Sequence, residues 1–361
     1  MPHALAIPIV GITPAKGFQG QDLDISVKAN KSAERDLNAA ERLASLAYDD
    51  MRLVDKLILE RMGSPVPLIP KLAHYLVEAG GKRIRPMITL ASARMLGYEG
   101  DAQLKLAAAV EFIHTATLLH DDVVDESGLR RGKKAANVVW GNAPSVLVGD
   151  FLFARSFMLM VDAESLQALH SLSRAASIIA EGEVRQLAAA GDIDVSVDSY
   201  RAIIEAKTAA LFAAAAEVSG IIADRSADEI AALDRYGREI GLAFQLVDDM
   251  LDYGGFDTDL GKNTGDDFRE SKVTLPVALA LQKADGEERA FWERVISNKD
   301  QRDGDFDTAR TIIERHGALE ATHDAARIHA NAARDALKAF PDNVWKQALS
   351  DLAEFVVERV Y

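Results

Sequence analysis

From Ser32 onward, apolar residues recur at intervals of three and four through one long window after another. That period gathers them on one face of a helix. The alternation of Val, Ile and Thr between turn residues that marks strands is missing. Proline is scarce, 10 in 361 residues, and mostly falls at breaks: Pro65, Pro67, Pro70, Pro86, Pro144, Pro276 and Pro341. The expectation is an all-α chain of many helices with no β domain. Residues 1–32 read differently, with Pro8, Pro14, several glycines and no sustained period. We expect a flexible or loosely docked arm over 1–32 and a single-domain helical bundle over 33–361.

Some helix limits are readable. Ser226-Ala-Asp-Glu229 is a capping box, opening a helix expected to run to Gly254-Gly255. Asp198 is expected to cap a helix ending near Gly220, and Asp101 one ending near Gly128.

The strongest signal is a short motif that occurs twice, as Asp121-Asp-Val-Val-Asp125 and Asp248-Asp-Met-Leu-Asp252. Each copy stands at the end of a long apolar helical segment. Asp121 and Asp125 are four residues apart, hence on one face and one turn apart, as are Asp248 and Asp252. Carboxylates so placed repel each other, are costly near a core, and oppose the helix dipole at a C-terminus. Solvated helix ends are a poor account of a pattern that recurs on two apolar helices. Gln245, Asp248, Asp249 and Asp252 form one polar stripe on an otherwise apolar segment, and His114 shares the face of Asp121 two turns deeper. Paired hard oxygen ligands suit Mg²⁺, which keeps water and bridges to phosphates. Two such clusters across a helical cavity would hold a diphosphate between them.

A diphosphate also needs cations. Lys82, Arg83 and Arg85 surround an expected helix start, and Arg130 and Arg131 follow the first aspartate cluster directly, with Lys133 and Lys134 beyond. Lys207 and Thr208 lie inside an apolar helix with few other charges, where a lysine needs an anion. Lys262 lies in a polar loop, 259–267, with the character of a lid, and Lys272 closes the same region.

Composition excludes other classes. The net charge of −15 argues against a general nucleic-acid binder. Without cysteine there is no disulfide, thiolate catalyst, or Cys-ligated zinc or iron–sulfur site. No run reaches the roughly 18 uncharged apolar residues of a membrane span. The N-terminus lacks the basic region of a signal peptide and the arginines of a transit peptide. No basic amphipathic helix stands out, so membrane contact is expected to be peripheral at most, and the location cytoplasmic.

In order along the chain, Gly81-Lys-Arg-Ile-Arg-Pro86, both aspartate motifs, Arg130-Arg-Gly132, Lys207-Thr208 and the run from Gly261-Lys262 through Gly265-Asp-Asp267 to Lys272-Val-Thr-Leu-Pro276 resemble the trans-type polyprenyl diphosphate synthase family. The resemblance covers about Ala40 to the C-terminus. Arg185 departs from it, standing where an uncharged residue is expected. The resemblance implies a helical bundle with a central cavity, of the isoprenoid synthase type I kind, Mg²⁺ as cofactor, and a homodimer. It implies that Asp121, Asp125 and Asp248 bind Mg²⁺ directly, while Asp122, Asp249 and Asp252 support them through water or lysine. Arg130, Lys207 and Lys262 would hold an allylic prenyl diphosphate, and Lys82, Arg85, His114 and Arg131 would hold isopentenyl diphosphate. The implied reaction is ionisation, condensation and elimination. Cations neutralise the departing diphosphate, Thr208 and Gln245 supply oxygen dipoles near the carbocation, and an apolar tunnel excludes water.

Tunnel length sets product length in that family. Thr117 and Ala116, four and five residues before Asp121, are small where short-chain enzymes often carry aromatics. The expected product is a long-chain polyprenyl diphosphate, octaprenyl to decaprenyl, of the kind that serves as a quinone side chain. Phe151, Phe153, Phe157 and Met158 are candidates for a deeper floor. The rivals are a shorter-chain farnesyl or geranylgeranyl diphosphate synthase, a class I terpene cyclase, which has no use for the isopentenyl-site cations, and a non-catalytic subunit, in which motif aspartates tend to be lost.

Overall fold

Pro70, Pro86, Pro144 and Pro276 each lie in the first turn of a helix, where a missing N–H costs no intrahelical bond. The computed structural model describes residues 38–78, 81–130, 132–254 and 264–358. The expected arm, 1–32, lies outside them. Residues 37–361 form one compact unit.

The helices run α1 Ala39–Leu46, α2 Tyr48–Arg61, α3 Leu68–Glu78, α4 Ile84–Met95 and α5 Ala102–Val124. A hairpin of two-residue strands follows, β1 Leu129–Arg130 and β2 Lys133–Lys134. Then come α6 Ala136–Trp140, α7 Asn142–Asp162, α8 Leu166–Ala189, α9 Val197–Ile204, α10 Ala210–Ile222 and α11 Ala227–Gly254. The chain ends with α12 Asp266–Arg269, α13 Leu275–Leu281, α14 Gly286–Trp292, α15 Asp305–Arg315, α16 Ala318–Ala336 and α17 Val344–Glu358. A π-helical turn, Glu205–Ala209, joins α9 to α10.

The Ser226 capping box is present: its hydroxyl accepts the Glu229 N–H at 3.3 Å and the Glu229 carboxylate accepts the Ser226 N–H at 3.1 Å. Two expected caps are corrected. The cap near residue 198 is Ser196, which accepts the Ser199 N–H, while Asp198 falls inside the first turn. The helix it begins passes through the π turn to Ile222, beyond Gly220. Asp101 holds the cap position of α5 without capping it, because its carboxylate turns to Lys105 at 3.0 Å. That helix stops at Val124 rather than near Gly128. Glu126 adopts a left-handed φ of 52°, Glu126 N–H reaches Val123 O, and Ser127 N–H reaches Asp122 O. This is the closing pattern usually built on glycine, and it puts the first aspartate motif in the last turn.

Residues 210–216 of α10 are all buried. A helix apolar all round belongs at the centre. On one side of it, α5, α7 and α8 enclose a core containing Phe112, Ile113, Leu152, Leu172 and Leu211. On the other, α4, α11, α16 and α17 enclose a second core around Phe212, Tyr236, Ile240 and Leu352. A third packs Tyr253, Phe268 and Trp292 among α13, α14 and α15. Helices α10 and α11 cross closely because α11 carries Gly237 and Gly241 there. A Cβ at Gly237 would meet Phe212 O at 2.1 Å, and one at Gly241 would meet Ala209 Cα at 2.8 Å. This crossing sets the polar end of α11 beside Thr208.

Candidate active site

A cavity of about 1520 Å³ opens among the C-terminal halves of α5, α8 and α11, the π turn and the segment 264–274. From α5 it receives Glu111, His114, Thr117 and Asp121, from the residue capping that helix Asp125, and from α11 Gln245, Asp248, Asp249 and Asp252. The two motifs thus line one cavity.

Lysines meet the outer carboxylates. Lys207 Nζ lies 3.4 Å from Asp121 and 2.7 Å from Glu183 of α8. Lys272 Nζ lies 2.9 Å from Asp125 and 2.5 Å from Glu270. Burial works against the Lys272 charge, but Asp125 and Glu270 hold its pKa raised. Burial, then Asp121, pushes the Glu183 carboxyl upward. Glu183 is placed by Gly182, whose missing side chain lets α8 close on the π turn; a Cβ there would come within 2.8 Å of Ala206 Cβ.

The middle aspartates do something different from the outer ones. Asp122 is buried and does not line the cavity. Its Oδ1 accepts from Arg130 Nε at 2.8 Å and Nη2 at 2.6 Å. Burial pushes this carboxyl up while Arg130 pulls it down. Its side-chain partner is thus an arginine where a lysine was expected, and that arginine lines the cavity. Asp249, also buried, accepts from Tyr200 Oη and, at 2.7 Å, from Gln245 Nε2. Gln245 Oε1 in turn accepts from Thr208 Oγ1 at 2.8 Å. Burial first, then Asp249, raises the Tyr200 phenol far above its ordinary range, so it stays a donor. Asp252 accepts the backbone N–H groups of Gly265, Asp266 and Asp267 at 3.0–3.1 Å, which pins the start of α12.

On the basic side, Lys82 is exposed at the cavity rim. Arg83, at a left-handed φ of 49°, turns to the buried Glu111. Arg85 lies 3.3 Å from His114 and stacks over Phe212, 4.3 Å from the ring centroid. Arg131 and Lys262 lie outside the described residues.

Of the small residues before Asp121, Thr117 lines the cavity and Ala116 is packed in the core behind it. Phe153 reaches the cavity. Phe151 and Phe157 pack against the neighbouring core, and exposed Met158 accepts from Arg155; none of these three lines the cavity. Arg185 is exposed on α8, and nothing in the structure gives it a role.

Glu111, Glu183 and Tyr200 escaped the sequence reading. Glu111 was findable, since it extends the His114–Asp121 stripe by three residues. Glu183 and Tyr200 have no local signal; they reach their partners only through tertiary packing.

Among the described residues no three carboxylate or imidazole side chains converge as a metal cage. The donors are hard oxygens, one or two per motif, which fits Mg²⁺ taking its other ligands from water and phosphate.

A family model for polyprenyl synthetase matches residues 66–313. The chain belongs to the polyprenyl synthetase family. It is a prenyltransferase. Octaprenyl diphosphate synthase of Escherichia coli (strain K12) is 46% identical over 319 residues, 88% of this chain and 98% of that protein. The crystal structure of a decaprenyl diphosphate synthase from Rhodobacter capsulatus superposes with a TM-score of 0.86 at 54% identity, covering 89% of this chain and 99% of that one. A polyprenyl synthase from Caulobacter crescentus CB15, complexed with calcium and isoprenyl diphosphate, gives 0.86 at 55% identity, covering 89% and 98%. These structures share the all-α fold.

Proposed function

We propose that this enzyme elongates an allylic diphosphate by successive head-to-tail condensation with isopentenyl diphosphate, releasing an all-trans product of octaprenyl to decaprenyl length. The observation that carries this reading is one cavity bearing both aspartate motifs, the Lys82–Arg85 cations and the small Thr117 together. The long-chain relatives support the length.

The residues divide the work. Lys207, Lys272 and Arg130 neutralise the allylic diphosphate as its C–O bond breaks, which is stabilisation of developing charge by fixed cations. Lys82, Arg85 and His114 hold the second diphosphate, and Arg131 and Lys262 are assigned to the same two sites by motif. Thr208 and Gln245 face the reacting carbons with oxygen lone pairs. The apolar wall about Phe153 keeps water from the cation. Asp121, Asp125 and Asp248 would hold Mg²⁺, whose chemistry when bound would be to add positive charge beside the leaving group.

The same proposal includes a homodimer, a cytoplasmic location, an arm over 1–32 and a single helical domain over 33–361. The dimer draws support from α7, whose Leu147, Met158 and Val161 are exposed. Among the described residues α7 alone is long and apolar enough to cross a membrane, but it carries Asp150 and Arg155 and packs along α5.

The test is a product assay with Mg²⁺, farnesyl diphosphate and labelled isopentenyl diphosphate. A ladder ending between octaprenyl and decaprenyl is expected. Arrest at geranylgeranyl gives the short-chain reading, and a cyclised hydrocarbon gives the cyclase. Activity only with a second, different chain gives the subunit.

A further inference from the structure

The polar chain Thr208–Gln245–Asp249–Tyr200 has a direction, and the direction is set from one end. A carboxylate only accepts hydrogen bonds. Asp249 Oδ1 faces the Gln245 amide at 2.7 Å, so Gln245 must present its NH₂ there. Its carbonyl oxygen is then left at the other end, beside Thr208 Oγ1 at 2.8 Å. Thr208 spends its one proton on that oxygen. Both oxygens consequently reach the cavity as acceptors, with lone pairs and no protons to offer. With the amide reversed, an N–H dipole would point its positive end at a carbocation. Tyr200 occupies the other oxygen of Asp249, so the carboxylate, itself buried, is held from two sides. Tyr200 reaches it from α9, on the far side of the π turn that carries Thr208.

We propose that Asp249 and Tyr200 act as a polarity lock: they are positioning residues that fix the Gln245 amide with its oxygen toward the cationic carbon, and Asp249 is no part of the metal set. This rests on the synthase reading above and assigns a role to Tyr200 that no motif indicates. The lock matters only once positive charge develops. It is therefore expected in kcat and not in ground-state binding.

The test compares Asp248→Asn, Asp249→Asn and Tyr200→Phe in the full-length enzyme. Calorimetry with inorganic diphosphate and Mg²⁺ reads binding, and turnover of farnesyl diphosphate with isopentenyl diphosphate reads chemistry. Asp248→Asn is expected to weaken diphosphate binding at least tenfold, by loss of a metal ligand. Asp249→Asn keeps binding within about threefold of wild type and lowers kcat about a hundredfold, the scale of one misdirected dipole at a reacting centre. Tyr200→Phe, which preserves the buried ring, keeps both KM values and lowers kcat about fivefold, the scale of one hydrogen bond. Binding lost in Asp249→Asn as in Asp248→Asn overturns the proposal, because Asp249 then serves the metal. Wild-type kcat in Tyr200→Phe overturns the lock. A wild-type enzyme that elongates nothing sinks the synthase reading instead, and that outcome is visible before any variant is made.

Discussion

Two adjacent aspartates on α5 face different surroundings. Asp121 looks into the cavity toward Lys207, while Asp122 looks into the protein toward Arg130. Neutralising them has different consequences. Asp122→Asn keeps an acceptor oxygen but removes the negative charge that holds Arg130 in place, weakening a charge-assisted interaction of about 1.5–3 kcal/mol. The expected result is a KM for the allylic diphosphate raised about tenfold to a hundredfold, by the usual conversion of such energies, with the Mg²⁺ requirement unchanged. Steady-state kinetics with each substrate and the metal varied in turn would expose a shifted metal requirement, which would make Asp122 a metal-side residue. Sequence spacing found both aspartates and grouped them correctly on one helix. It did not separate their roles, because a residue one position along a helix is turned by about 100° and its partner comes from a hairpin eight residues on.

At the scale of elements, the 3.6-residue period made the helices legible and the capping box located the start of α11 within a residue. The ends of α5 and α10 were missed for one reason. Glu126 and Asp224 take the left-handed conformation where glycine is the usual mark, so the stop has no sequence flag. The close crossing of α10 and α11 was also invisible, though it places the site. Gly237→Ala puts a methyl against the Phe212 carbonyl and is expected to destabilise by about 3 kcal/mol, typical of overpacking. Gly286→Ala, at an open position, is the control and stays within about 1 kcal/mol of wild type. Thermal unfolding of the pair decides it, and equal melting temperatures would mean that the crossing has room to relax.

At the scale of the molecule, a cavity bounded by several helices takes its depth from single side chains. Thr117 stands on the wall one turn below Asp121. Thr117→Phe is expected to end the product several isoprene units earlier while leaving the KM for isopentenyl diphosphate within about twofold, since uniform binding is untouched. An unchanged product length would move the floor elsewhere, toward Phe153. The sequence located the small pair at 116 and 117 but not which member faces inward; that depends on how α5 is rotated against α7.

The turn Glu205–Ala209 holds one residue more than an α-helix needs, with Ala210 N–H reaching back five positions to Glu205 O. Deleting a residue there would let α9 flow into α10 as an unbroken, better-bonded rod. It would also swing everything upstream by about 100°, carrying Tyr200 away from Asp249 and parting Lys207 from Glu183. Regularity and chemistry pull in opposite directions at this turn. The arrangement of the cavity wall is thus more sensitive to a change in chain length by one than to most exchanges of one side chain for another.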